Sequence, residues 1–239
     1  MNQIENTLTQ LRLHGMSRNW KALTETRQVH ELSFSEGLEL LLQSENDDRK
    51  NRRFDRLQKT AQFRYKASTE ELLYDPSRGM DKALISQLIT GNYIENGESI
   101  LITGATGCGK SFLASALGHQ ACAQGFSVTY HSVQKLFVKI KIARADGSIH
   151  KLLDKLAKTN LLVLDDFGLS ALEHQQQLDF MEIFEDRHAK NATIVVSQLP
   201  VASWYDVIGQ ETIADAILDR LVHSSYRVQL KGDSLRKKR

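Results

Sequence analysis

Ser99-Ile100-Leu101-Ile102-Thr103-Gly104-Ala105-Thr106-Gly107-Cys108-Gly109-Lys110-Ser111 is the stretch that decides how this 239-residue chain is read. The apolar run at 99–103 predicts a buried strand, and Phe112-Leu113-Ala114-Ser115-Ala116-Leu117 predicts the opening of a helix. Between them stand glycine, four residues, then glycine-lysine-serine, the pattern of a phosphate-binding loop. A triphosphate carries several negative charges. Glycines at 104, 107 and 109 let backbone N–H groups of the loop, Ala105, Thr106 and Cys108 included, turn inward around it, and the following helix presents its positive end. Lys110 is expected to reach the β- and γ-phosphate oxygens as a point charge, and the Ser111 hydroxyl to ligate the accompanying magnesium ion. A chance glycine-rich turn is the alternative, and the flanking strand and helix speak against it.

Phosphoryl chemistry needs a second, acidic element. Asn160-Leu161-Leu162-Val163-Leu164-Asp165-Asp166 supplies a buried strand ending in two carboxylates, similar to a Walker B segment. Asp165 is expected to hold magnesium through water, and Asp166 to orient the attacking water as general base. Read alone, Asp165-Asp166-Phe167-Gly168 is equally a solvated turn closing a strand. Further strands are predicted at 126–131, 192–197 and 226–230, with helical patterns between them. This alternation argues an α/β fold, a parallel sheet flanked by helices with ligands at the strands' carboxyl ends. Ser197-Gln198-Leu199-Pro200 closes the fourth strand, where a polar side chain would sense the γ-phosphate; an ordinary turn is the competing reading.

The phosphate loop, the Asp165-Asp166 strand, Ser197-Gln198 and Asp219-Arg220-Leu221 together resemble the AAA+ ATPases over about residues 85 to 231. The resemblance implies a P-loop core with ATP and Mg2+ as cofactors. In that group an arginine just upstream of the fifth strand enters a neighbouring subunit's site, and Arg220 stands in the matching place. Such a finger is worth about a thousandfold or more in other phosphoryl-transfer systems, and it implies an ATP-dependent homo-oligomer. The competing reading is a helix-surface arginine paired one turn away, but Ala216 carries no carboxylate, and Asp215 and Asp219 do not face Arg220 well. AAA+ proteins usually continue into a helical lid. Here only residues 231–239 follow the last strand, so a lidless core is expected, with Arg227 and Arg236 as loose matches to a lid's second sensor arginine. Lidless cores resemble the DnaC/IstB branch, whose members are helicase loaders or helper ATPases of bacterial transposition.

Residues 1–66 read as a small all-helical amino-terminal domain, 67–84 as a linker and 85–239 as the ATPase domain. Leu8, Leu11, Leu13, Met16, Trp20 and Leu23 recur at helical spacing, and Ser33-Phe34-Ser35-Glu36 is a capping box opening a helix expected to turn Leu38, Leu41 and Leu42 inward. A charged run with Arg49, Arg52 and Arg53 follows. The order of leucine-rich helix, capping box, Glu45 with these arginines, Ala61-Gln62-Phe63 and Ser68-Thr69-Glu70-Glu71 resembles the IstB-type amino-terminal domain, as does Leu230-Lys231-Gly232-Asp233-Ser234-Leu235-Arg236 at the other end. Arg64-Tyr65 departs from it, since a proline commonly follows the phenylalanine there. The resemblance implies a helper that oligomerises on double-stranded DNA and assists a partner transposase.

The net charge is only +2 with 41% hydrophobic residues, so any DNA surface must be local. Candidates are Arg49, Arg52 and Arg53; Lys135, Lys139, Lys141 and Arg144; and residues 236–239, each also readable as a solvated helix face. No helix-turn-helix or zinc spacing reads bases, so little sequence preference is expected. Two cysteines, a polar start and no membrane-length apolar run point to a reduced, cytoplasmic setting with no membrane partner. A DnaC-like loader, a small-molecule kinase and a nucleotide-switched DNA-binding module with little hydrolysis are the competing functions; Asp166 in place of the common glutamate keeps the last open.

Overall fold

The computed structural model describes residues 3–235. The chain forms two compact units, Met1–Arg56 and Leu57–Arg239. The first contains α1 (Gln3–Gln10), α2 (His14–Glu25) and most of α3 (Phe34–Ala61), which runs on past the unit boundary. The helical pattern expected from Leu8 to Leu23 is broken at Arg12, which adopts φ 60°. The capping box at Ser33 forms: Glu36 N–H donates to Ser33 Oγ at 3.3 Å, and Ser33 N–H donates to the Glu36 carboxylate at 2.8 Å.

The leucines behind that cap do not turn inward as expected. Leu38 and Leu42 are exposed, Leu41 is half-buried, and α3 buries Glu45 and Asp48 instead. A buried carboxylate must be paired to be tolerated, and both are. Glu45 accepts from the N–H groups of Gly15 (2.8 Å) and Met16 (3.3 Å) and from Arg49 (2.7 Å); Asp48 pairs with Arg18 and Arg52.

The second unit carries a five-stranded parallel sheet in the order β2-β3-β4-β1-β5, with β1 (Ser99–Gly104), β2 (Val128–Ser132), β3 (Leu161–Phe167), β4 (Ala192–Ser197) and β5 (Ser225–Leu230). Its central strands are apolar on both faces, as a sheet covered on both sides requires. The helices are α4 (Lys82–Ile89), α5 (Asn92–Glu95), α6 (Lys110–Ala123), α7 (Val133–Ala145), α8 (Ile149–Lys158), α9 (His174–Arg187), α10 (Trp204–Ile208) and α11 (Glu211–Val222). Right-handed crossovers divide them. The connection from β1 to β2 runs outward and lays α6 across one face; the later connections run back and put α7 to α11 on the other. There Leu101, Leu162, Leu164 and Val195 pack with Leu136, Ile140, Phe180, Trp204 and Ile217. Arg187 is buried in this unit, donating to the carbonyls of Leu156, Thr159 and Ala192 and to Thr193 Oγ1.

Residues 67–84, expected as a linker, belong to the second unit and are anchored in it. Ala67, Leu72 and Met80 are buried, the Arg78 carbonyl accepts from Lys231 N–H at 2.8 Å, and Arg78 Nη2 donates to the Asp233 carbonyl at 2.8 Å. The boundary therefore falls at 56/57 rather than near 66.

Candidate functional site

Three strand ends meet over the sheet. Because β4 lies between β1 and β3, the loop after β1, the carboxylates closing β3 and the turn after β4 converge on one cavity of about 480 Å³. The loop's backbone needs its glycines. Gly104 stands at φ 144°, and a Cβ there would lie 2.2 Å from the Leu230 carbonyl oxygen; Gly109, the residue that opens α6, stands at φ 105°. Lys110 is buried and its Nζ donates to the carbonyls of Gly104 (2.7 Å) and Ala105 (2.8 Å). An ammonium has three donors, so one is left for an anion cradled by the loop. Expected to reach phosphate directly, Lys110 also ties the loop to itself.

Asp165 is 1% exposed and lies at the end of β3, beside the first turn of α6. Ser111 Oγ donates to its Oδ1 at 3.1 Å, the pair of oxygens expected for magnesium. A hydroxyl beside a carboxylate suits a hard cation that prefers oxygen. Asp166 follows at φ 61°, left-handed and uncommon for a residue with a side chain. It is more open than Asp165, and its carboxylate lines the cavity.

Two further residues close on these carboxylates, and sequence reading missed both roles. Tyr130 on β2 donates its hydroxyl to Asp165 Oδ2; burial and the neighbouring carboxylate push the phenol's pKa up. Arg64 Nη1 bridges the two acids, 3.1 Å from Asp165 Oδ2 and 2.9 Å from Asp166 Oδ2. Burial opposes the Arg64 charge, but the hydrogen bond to Asp165 and the charges of both carboxylates more than offset it and raise its pKa. The clue in the sequence was the departure at Arg64-Tyr65 from the proline of the related pattern.

Ser197 and Gln198 fare differently. Thr106 Oγ1 donates to Gln198 Oε1 at 2.7 Å, linking the phosphate loop to the end of β4. Ser197 is fully buried, and its hydroxyl donates to the Phe167 carbonyl (2.8 Å) and accepts from Leu199 N–H (3.1 Å). Its oxygen is committed to the strand ends, and both Ser197 and Gln198 line the cavity. Leu235 N–H donates to the Gly107 carbonyl at 2.9 Å, which brings the segment after β5 back onto the loop.

Arg220 on α11 lies apart from this cavity. The sequence showed no partner for it within its helix. The structure supplies one from α9, Glu185, and the Ala216 carbonyl accepts from Arg220 Nη1 at 2.8 Å. Arg227 is exposed on β5, whereas Arg236 and the rest of the terminal basic run lie outside the described residues. Of the DNA candidates, Lys135, Lys139 and Lys141 are exposed on α7, while Arg144 pairs with buried Asp179. Arg49 and Arg52 are engaged with the buried acids Glu45 and Asp48 while staying largely exposed, and Arg53 is exposed on the same helix.

Comparison with known proteins agrees with this geometry. The chain is 42% identical over 230 residues to an insertion-sequence ATP-binding protein of Sinorhizobium fredii, covering 96% of this chain and 94% of that one. It is 43% identical over 194 residues to another from Pseudomonas fluorescens, covering 81% and 84%. The fold is that of AAA+ proteins. The DnaC helicase loader superposes with a TM-score of 0.60 at 20% identity over 70% of this chain and 98% of that one. DnaA from Aquifex aeolicus, bound to AMPPCP, gives 0.59 at 21% identity over 73% and 53%. Among the described residues no helix is long and apolar enough to cross a membrane. With a family pattern matching residues 6–239 and relatives alike over nearly their full length, the chain belongs to the IstB-like ATP binding protein family.

Proposed function

We propose that the chain is a DNA-dependent ATPase that assembles on double-stranded DNA and assists a partner transposase in selecting its target. The observation that carries this reading is the convergence, in one cavity, of the phosphate loop, the Ser111–Asp165 oxygen pair and Asp166. ATP lies with its phosphates on the loop N–H groups and the free donor of Lys110. Ser111 and Asp165 would hold Mg2+, which would neutralise phosphate charge as it develops. Asp166 orients a water and accepts its proton as the water oxygen bonds to the γ-phosphorus and the bridging bond to ADP breaks. Arg220 of a neighbouring copy completes the site, so hydrolysis depends on assembly. Lys135, Lys139 and Lys141 supply phosphate contacts without base reading, giving affinity that falls with salt.

Sedimentation and steady-state hydrolysis with ATP and duplex DNA test this. Wild type is expected to form DNA-bound oligomers and to hydrolyse faster with DNA, and Lys110→Ala to lose nucleotide binding. A chain that stays monomeric on DNA and ATP, with no stimulation, defeats the reading. One observation favours a switch with slow turnover: the Asp166 carboxylate is tied to Arg64. Single-turnover hydrolysis with and without DNA separates switch from motor.

A further inference from the structure

We infer that Arg64 is a resident counter-cation of this site, a positioning residue that competes with divalent metal for Asp165 and Asp166 and so sets how much metal the site requires. The inference rests on the cavity being an ATP and magnesium site. It starts from counting acceptors. A carboxylate offers about four lone-pair positions, and on Asp165 all four are used. Oδ1 accepts from Ser111 Oγ at 3.1 Å and from Asp166 N–H at 2.8 Å, while Oδ2 accepts from Tyr130 and from Arg64 Nη1 at 3.1 Å. A metal ion that takes Asp165 as a ligand, directly or through water, must displace one of these donors.

The four donors differ in how easily they move. Asp166 N–H is backbone held within β3, and Tyr130 is buried on β2. Ser111 exchanges its hydrogen bond for the metal itself and so vacates a position on Oδ1, while the charge of Arg64 on Oδ2 still opposes the incoming cation. Arg64 is 40% exposed at the end of a long side chain, and is the donor free to leave. Its backbone is fixed, however. The Phe63 ring lies 4.1 Å from that of His119, centroid to centroid, and His119 Nε2 donates to the Tyr65 carbonyl at 3.1 Å. Motion is therefore confined to the guanidinium, which stays within the same cavity.

Arg64 also holds the open carboxylate of Asp166 at 2.9 Å. A carboxylate that accepts a hydrogen bond from a guanidinium is a poor acceptor for a water's proton. Metal entry thus weakens the hold of Arg64 on Asp166, because the two cations compete for the same pair of carboxylates.

Two binding measurements test this without relying on turnover. In the first, free Mn2+ is followed by electron paramagnetic resonance on the nucleotide-free protein. In the second, Mg2+ is titrated into protein with a fluorescent ATP analogue. Removing a unit charge a few ångströms from a metal ion is worth on the order of tenfold in affinity. Arg64→Ala and Arg64→Gln are therefore expected to bind Mn2+ about tenfold more tightly and to need about tenfold less Mg2+. Arg64→Lys keeps the charge and is expected to stay within about threefold of wild type. With metal chelated the order reverses, and both neutral variants bind the analogue more weakly than wild type. Should Arg64→Ala unfold, Arg64→Gln and Arg64→Lys carry the comparison. Metal curves for folded neutral variants that overlie wild type, with analogue binding intact, overturn the role of Arg64 and leave the nucleotide site standing. A wild-type protein that binds neither Mn2+ nor the analogue overturns both.

Discussion

Replacing Arg220 with alanine separates a local role from a catalytic one by magnitude. In the structure Arg220 pairs with Glu185, and the two side chains are 25% and 58% exposed. A pair that open to solvent contributes roughly 0–1 kcal/mol, so Arg220→Ala is expected to lower the melting temperature by no more than about 2–4 °C. If the guanidinium instead serves a neighbour's γ-phosphate, DNA-stimulated hydrolysis falls about a thousandfold, roughly 4 kcal/mol of transition-state stabilisation. Melting curves and steady-state hydrolysis, measured together, decide. Glu185→Ala is the control: it forfeits the same pair and releases the arginine, so stability falls slightly and turnover persists. Mixing Arg220→Ala with Lys110→Ala sharpens the test, because the second variant lends its arginine to the intact phosphate loop of the first. The mixture should regain activity that neither shows alone. Hydrolysis by Arg220→Ala within about threefold of wild type, or no regain on mixing, refutes the assignment.

Tyr130→Phe removes a donor from a buried, charged acceptor, worth about 1.5–3 kcal/mol; an unchanged urea midpoint would contradict that. Burial, with help from Lys139 and Lys155, pushes the His131 imidazole down to about 4. The unfolded chain takes up this proton near pH 6.5 and the folded one only near 4, so stability is full above pH 6.5 and declines as pH falls towards 4. The loss amounts to about 3 kcal/mol. Denaturant titrations between pH 4 and 7 should show this slope, and His131→Asn should flatten it. Arg187→Ala strips three carbonyls and a threonine hydroxyl of their donor in the core and is expected to cost about 3–5 kcal/mol, read from chemical unfolding.

The fold was legible wherever a signal was contiguous. Residues 99–111 spell strand, loop and helix start in one stretch, and residues 160–166 spell a strand and its two acids. What escaped reading was nonlocal. Arg64 meets Asp165 across 101 positions, Tyr130 across 35, and Glu185 meets Arg220 from a different helix. No periodicity links such pairs. The reversal in α3 has another cause: hydrophobic patterning assumes that apolar side chains face the core, and it is blind to a seam where Gly15 N–H and Arg18 make Glu45 and Asp48 the residues worth burying.

The strand order also fixes a length. The phosphate loop and the acidic pair rise from β1 and β3, which are separated by β4 alone, so the sheet sets their spacing at two strand intervals, roughly 9.5 Å. This distance is a property of backbone hydrogen bonding, and no side-chain substitution in the site can stretch or shrink it. Chemistry here must be tuned through reach. An aspartate at 166 is one methylene shorter than a glutamate, and the sheet cannot slide to make up the difference. What a shorter carboxylate cannot reach is left to whatever enters the cavity between the two strand ends.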